Sequence, residues 1–173
     1  MNDLKISKLP FLISKEDRMK CIEDVENIVR DGTYCKTVPP FQTFPDLLGR
    51  NEEHWQRLSN YLHEIFRKFC NSPVEVFSWA FINMVGVPGA KERGWHNHYN
   101  PNIKKISSIA YLQCENINNG TMFDMGDYIL MPKVDVNSIY AYDSKIVHTP
   151  SYWNYEQSKI NRVVLASEVH ILS

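Results

Sequence analysis

The chain has 173 residues, of which 43% are hydrophobic and 12% aromatic, enough for one hydrophobic core. Its 19 basic and 20 acidic residues give a formal net charge of −1, which argues against a nucleic-acid partner or an anionic membrane surface. The sequence shows no signal peptide and no apolar run of about 18 residues, and its four widely spaced cysteines lack a CxxC pair, so we expect a cytoplasmic protein with reduced thiols.

Two amphipathic helices are predicted in the first part of the chain. Ser14 can cap the first helix, which has acidic residues in its first turn and ends near Gly32. The second helix is predicted to begin near Asn51 and to end before Pro73. Its apolar stripe consists of Trp55, Leu58, Leu62, Ile65, Phe66 and Phe69.

After Pro73 the pattern changes to short segments rich in aromatic and β-branched residues, which are typical of strands. Seven or eight strands fit into the last ~100 residues, separated by turn signals such as NNG and MGD. This number of short strands favours a sandwich, a jelly roll or a barrel, with the early helices packed on one sheet. We therefore predict a single mainly β domain of the α+β class over residues 1–173, with helical support and a loop in 1–72 and the β core in 73–173.

The segment GWHNHYN, residues 94–100, places two histidines one residue apart. Residues i and i+2 of a strand share a face, so His96 and His98 are predicted to project side by side. His148 lies at a predicted junction of strand and turn, and a rolled sheet can bring it to the same point. Three neutral imidazoles suit Fe, Zn, Cu or Ni and leave coordination positions open for a substrate. The alternative is a surface pair of histidines, or one buried histidine with ordinary hydrogen bonds.

The other histidines show no such pattern. His54 and His63 lie among charged residues of the second helix and are assigned to its surface. His170 has no partner nearby in the sequence.

Arg162 lies inside the strongly apolar segment INRVVLASEV. A guanidinium in such a strand needs a partner, because burying an unpaired charge is costly. The natural partner is a carboxylate, which arginine binds through two parallel hydrogen bonds. A side chain such as Glu168 or Asp143 could provide it, or the carboxylate could belong to a ligand, with Ser167 as a second donor.

The order of these residues resembles the 2-oxoglutarate- and Fe(II)-dependent dioxygenases: an HxH pair, a Tyr-Leu strand, a distant histidine and then an arginine. It is most similar to the prolyl-hydroxylase-like branch, whose bacterial and cyanophage members carry an H-N-H motif near the first ligand. The resemblance covers roughly residues 74–172. It implies a jelly roll (a double-stranded β-helix) with the helices packed on its major sheet, and a location in the cytoplasm, that of the host if the protein is phage-encoded.

The resemblance also implies roles for individual residues. His96, His98 and His148 would be the metal ligands, Arg162 would bind the far carboxylate of 2-oxoglutarate, and Tyr111 would assist it. The pocket and its mouth would be lined by Trp79, Asn83, Trp95, Tyr99 and Trp153. The implied reaction uses Fe(II), 2-oxoglutarate and O2 to hydroxylate a second substrate, a protein or a small molecule, with release of succinate and CO2.

One departure from the family pattern concerns the second ligand, where His98 stands in place of the usual aspartate. A third histidine makes the site more positive, which should weaken iron binding and raise the metal's potential. Asn100 or Asp124 could approach the metal instead, or His98 could bind it while His96 only supports the site.

Two other kinds of protein fit part of the pattern. A cupin also carries HxH and a later histidine, but it usually has a glutamate soon after HxH and a PxG before the last histidine, and this chain has neither. The second alternative is a cupin-like or jelly-roll module that binds a metal or ligand without oxygenase activity.

Overall fold

A computed structural model describes residues 6–31, 42–84, 95–115, 120–150 and 160–172. It contains two α-helices and eight strands, with a short 3₁₀ helix at Leu47–Gly49. The helices are α1 (Lys15–Arg30) and α2 (Glu53–Cys70). The strands are β1 (Ile6–Pro10), β2 (Val74–Met84), β3 (Lys105–Cys114), β4 (Thr121–Asp124), β5 (Ile129–Leu130), β6 (Ser138–Asp143), β7 (His148–Pro150) and β8 (Ile160–Ile171).

The two helices begin and end for local reasons. The Ser14 hydroxyl accepts a hydrogen bond of 2.9 Å from the Asp17 amide, which satisfies an amide at the start of α1. Helix α2 ends at Asn71, whose φ of 49° is left-handed and stops the helix before Pro73. Among the described helices, none is both long enough and apolar enough to cross a membrane.

The major sheet has five antiparallel strands in the order β1-β6-β3-β8-β2. Along β8, side chains alternate between its two faces, as the pleat requires. Val163, Leu165 and Val169 pack with α1 and α2 in the larger core. Val164 and Ala166 face the other way, into a smaller aromatic core.

The minor sheet has three strands in the order β5-β4-β7 and lies across that second face. The predicted mainly β fold, with helices on the major sheet, is thus confirmed. The sequence prediction of a full strand over GWHNHYN was wrong: within the described residues 95–100, only His96 makes a β-bridge, to His148.

The prediction that His54 lies on the surface was also wrong. His54 is only 8% exposed. Its Nε2 lies 2.7 Å from Asp24 Oδ2, and the Trp55 indole donates to the same oxygen, also at 2.7 Å. Asp24 of α1 therefore binds two consecutive residues of α2 and fixes how the helices cross behind the major sheet.

Because the helices cover one face of the major sheet, truncating their buried stripe should destabilise the whole domain. Leu62 is 1% exposed in α2, and Leu62→Ala should lower the free energy of unfolding by about 2–5 kcal/mol. The matched control Leu12→Ala, at a position that is 71% exposed, should change it by less than about 0.5 kcal/mol. Urea denaturation measures both, and equal effects would contradict this packing.

Candidate metal centre

The backbone places His96 directly opposite His148. The His96 amide donates to the His148 carbonyl at 3.1 Å, and the His148 amide donates back to the His96 carbonyl at 2.8 Å. This reciprocal pair is one rung of an antiparallel ladder, in which opposed side chains lie on the same face. The next anchor is the His98 amide, which donates to the Ser144 carbonyl at 3.0 Å.

Three imidazoles meet at this point. One ring nitrogen from each of His96, His98 and His148 can be chosen so that all three lie within 4.8 Å of one another. The ring centroids are 4.4 Å apart for His96 and His148, 5.2 Å for His96 and His98, and 5.1 Å for His98 and His148.

His98 is held by a carboxylate on the major sheet. Its Nδ1 lies 3.2 Å from Glu168 Oε1, and Lys105 Nζ lies 2.6 Å from Glu168 Oε2. Burial raises the pKa of Glu168, but hydrogen bonds from His98 and Lys105 outweigh burial and lower it to about 2. Glu168 is therefore ionised at neutral pH and can only accept, which leaves Nε2 of a neutral His98 ring to bind a metal.

His148 is the most buried of the three histidines, at 5% exposure. Its Nδ1 lies 3.2 Å from the Ile146 carbonyl, which can only accept a hydrogen bond, so Nδ1 carries the proton. Its Nε2 then has a lone pair, which faces the Tyr142 hydroxyl at 3.1 Å. The rings of Phe123 and Tyr142 pack on this imidazole, with centroids 6.0 and 5.0 Å away.

Arg162 is buried, at 3% exposure, and points between the two sheets. Its Nη2 donates to Thr121 Oγ1 at 3.3 Å and to the Gly120 carbonyl at 3.5 Å. The guanidinium also lies 5.5 Å from the centre of the Tyr111 ring, whose hydroxyl donates to Thr121 Oγ1 at 3.2 Å.

No described carboxylate lies within ion-pair distance of Arg162, and its Nε has no hydrogen-bond partner among the described residues. The sequence analysis offered Glu168 or Asp143 as a partner, and the structure pairs Arg162 with neither. Glu168 is on the same face of β8 but six residues away, which is about 20 Å along a strand. Ser167 belongs to the lining of the same pocket, and its hydroxyl shares a hydrogen bond of 2.7 Å with Ser78 Oγ.

The histidines and Arg162 line one pocket between the sheets. Val164 and Ala166, consecutive inward residues of β8, lie along its floor. The pocket therefore has a cluster of nitrogen ligands, an apolar floor and a buried guanidinium. This arrangement suits a molecule that binds a metal at one end and carries an anionic group at the other.

The alternative ligands considered from the sequence have other partners. Asp124 Oδ1 accepts from the Gly126 amide at 2.8 Å, and Asn100 Oδ1 accepts from the Asn102 amide at 3.0 Å. Neither residue belongs to the candidate metal cluster, which consists of the three histidines among the described residues.

The residues assigned to the pocket and its mouth fall into three groups. Trp79 lines the pocket, is 7% exposed, and its ring centroid lies 5.9 Å from that of His98. Trp95 and Tyr99 are about half exposed beside the histidines, and Lys145 Nζ lies 5.1 Å from the centre of the Tyr99 ring. The side chain of Asn83 and the whole of Trp153 lie outside the described residues.

Sequence analysis missed the contacts of three residues in the site, of which Glu168 is considered there only as a partner of Arg162. Thr121 joins Arg162 to Tyr111, Tyr142 contacts His148, and Glu168 contacts His98. Period-two alternation could have placed Tyr142 and Glu168 on the inward faces of their strands. Alternation does not show which residues of the minor sheet lie opposite them.

No known family model matches the sequence, and no curated protein matches it significantly. Several solved structures share its fold. The non-heme α-ketoglutarate-dependent carbocyclase SnoK from nogalamycin biosynthesis superposes with a TM-score of 0.74 at 9% identity, over 98% of this chain and 80% of that one. A prolyl-4-hydroxylase from Pseudomonas putida gives 0.66 at 12% identity, over 98% and 94% of the two chains. HygX from Streptomyces hygroscopicus, with nickel and 2-oxoglutarate bound, gives 0.65 at 11% identity, over 98% and 83%. At such identities the likeness establishes the fold, which is that of 2-oxoglutarate-dependent oxygenases.

Because Arg162 is a buried charge without a described carboxylate partner, its removal is expected to stabilise the ligand-free protein. Arg162→Met should raise the free energy of unfolding of the ligand-free protein by about 1 kcal/mol, because it removes a buried charge that lacks a carboxylate partner. The matched control is Lys105→Met, which breaks an ion pair and should lower it by about 1–3 kcal/mol. Urea denaturation distinguishes the two, and similar losses in both variants would show that Arg162 has a structural anionic partner.

Proposed function

We propose that the chain is a 2-oxoglutarate- and Fe(II)-dependent dioxygenase that hydroxylates a second, organic substrate, either a protein or a small molecule. The observation that carries this proposal is the shared pocket, in which three imidazoles and a buried guanidinium without a described carboxylate partner are brought together. A cupin-like binding site would explain the histidines but would leave Arg162 without a role.

The donor set fits a ferrous ion. His98 and His148 each donate from Nδ1 to an acceptor, so each Nε2 has a lone pair, and neutral nitrogen ligands of this kind suit iron. At His148 a metal would replace the Tyr142 hydroxyl, which lies 3.1 Å from Nε2. His96 is placed beside them by its backbone bonds with His148. Three protein ligands would leave other coordination positions of the ion open to small molecules.

The other end of the pocket fits the distal carboxylate of 2-oxoglutarate. Arg162 offers a buried guanidinium whose Nε lacks a described partner, and Thr121 offers a hydroxyl within 3.3 Å of it. The Tyr111 ring packs against the guanidinium and restricts the orientation of Arg162. The Tyr111 hydroxyl is itself held by a hydrogen bond to Thr121 Oγ1. A carboxylate bound there would provide the partner that burial of the arginine requires.

A bound ferrous ion would supply the oxidising chemistry, in which O2 and 2-oxoglutarate are converted to succinate and CO2 while one oxygen atom enters the second substrate. The protein's own contribution is to hold the ligands and exclude water. Trp79, Ile109 and Val164 provide apolar walls and are each less than 10% exposed. Trp95 and Tyr99, exposed beside the histidines, would contact the second substrate.

Anaerobic binding of 2-oxoglutarate tests the proposal most simply. The Fe(II)-loaded protein should develop the weak visible charge-transfer band of a 2-oxoglutarate chelate. In Arg162→Met the dissociation constant should rise roughly 30-fold or more, because removing one partner of a buried charge pair costs about 2 kcal/mol or more. The control Arg57→Met alters an exposed arginine on α2, outside the pocket, and should bind like the wild type.

Metal binding provides a second, separable result. His148→Ala should weaken binding of Fe(II), or of Co(II) as a spectroscopic substitute, whereas Arg162→Met should leave the metal affinity unchanged. A protein that binds metal with three histidines but shows no 2-oxoglutarate band would instead be a metal-binding module without oxygenase activity.

A further inference from the structure

Glu168 occupies a position in the site that the proposed chemistry does not yet explain. It is an inward residue of β8, opposite Phe77 of β2 and Ser107 of β3. An ionised carboxylate between sheets is costly unless each oxygen has a partner. Here Oε1 lies 3.2 Å from His98 Nδ1, while Oε2 lies 2.6 Å from Lys105 Nζ and 3.5 Å from His170 Nε2.

The two oxygens have different effects. Lys105 is nearly buried, with 7% of its side chain exposed, so its ammonium holds the carboxylate in place and offsets its net charge. Glu168 therefore acts on the metal site mainly through the hydrogen bond that His98 Nδ1 donates to Oε1. Such a bond fixes the tautomer and the direction of a histidine ring and makes its other nitrogen a better ligand.

We propose that Glu168 is a positioning residue for the metal centre, which holds His98 with Nδ1 protonated and Nε2 directed at the metal. This inference rests on the proposed metal site. It accounts for the departure at His98: the carboxylate acts through an imidazole in place of binding the metal directly. The ring is further confined by Trp79, whose centroid lies 5.9 Å away, and by the backbone bond to Ser144.

A merely structural role is the alternative, in which Glu168 only neutralises Lys105. Three variants separate the roles. Lys105→Met removes the ammonium and keeps the carboxylate on His98. Glu168→Gln keeps an acceptor of the same size but removes its charge. Glu168→Leu in the Lys105→Met background removes both ion-pair partners, which avoids leaving a buried charge unpaired.

Two measurements on these proteins test the proposal. The first is the ¹⁵N NMR spectrum of the His98 ring in the metal-free protein, because the chemical shifts of the two ring nitrogens report which of them carries the proton. The wild type and Lys105→Met should show Nδ1 protonated, and the double variant should not favour this form. The second is Co(II) affinity, which should be within about twofold of wild type in Lys105→Met and about 10- to 100-fold weaker in the double variant. Glu168→Gln should lie between them.

The outcomes are distinguishable. Co(II) binding and a His98 tautomer that are unchanged in the double variant would overturn the positioning role while leaving the proposed oxygenase intact. A wild-type protein that binds no Co(II) would overturn the metal centre itself, and this inference with it.

The single variant Glu168→Gln keeps the test decisive if the double variant fails to fold, because it preserves the size of the side chain. Its Co(II) affinity should fall below that of Lys105→Met, since the amide is a weaker acceptor for His98 Nδ1 than the carboxylate. Equal affinities in these two proteins would contradict the positioning role.

Discussion

The reciprocal backbone hydrogen bonds between His96 and His148 are the constraint on which the site depends. They make these two histidines direct neighbours across an antiparallel rung, although 51 positions separate them in the sequence. The hydrogen bond from the His98 amide to the Ser144 carbonyl then holds His98 close to the other two histidines. Three imidazoles are thus brought together by main-chain geometry, without a long β-strand on the His96 side.

The second constraint is the alternation of side chains along β8. Arg162 and Glu168 are both inward residues of this strand, separated by two apolar positions that form the pocket floor. Because they are about 20 Å apart, the two opposite charges cannot neutralise each other. Each is therefore available to a different part of the site: Glu168 to His98, and Arg162 to whatever anion enters the far end.

The sequence predicts the fold class and most of the residues that meet in the site, but it does not predict the contacts between the two sheets. The number of short strands predicts the fold class, and the resemblance carried by the order of His96, His98, His148 and Arg162 predicts which residues converge. The apolar segment around Arg162 also indicates that its charge needs a partner.

Contacts between the sheets could not be predicted in this way, because they depend on how strands of different sheets face each other. Thr121 under Arg162 and Tyr142 beside His148 are of this kind. The mistaken surface assignment of His54 has a similar cause, since its partner Asp24 belongs to another helix.

The central claim is that one pocket holds a metal and a dicarboxylate at opposite ends. Crystals of the protein soaked anaerobically with Co(II) and 2-oxoglutarate would test it directly through the anomalous signal of the metal. The account predicts one strong peak about 2.1 Å from a nitrogen of each of His96, His98 and His148, with a carboxylate of the bound diacid against the Arg162 guanidinium. A metal bound elsewhere, or a diacid whose free carboxylate points away from Arg162, would contradict it.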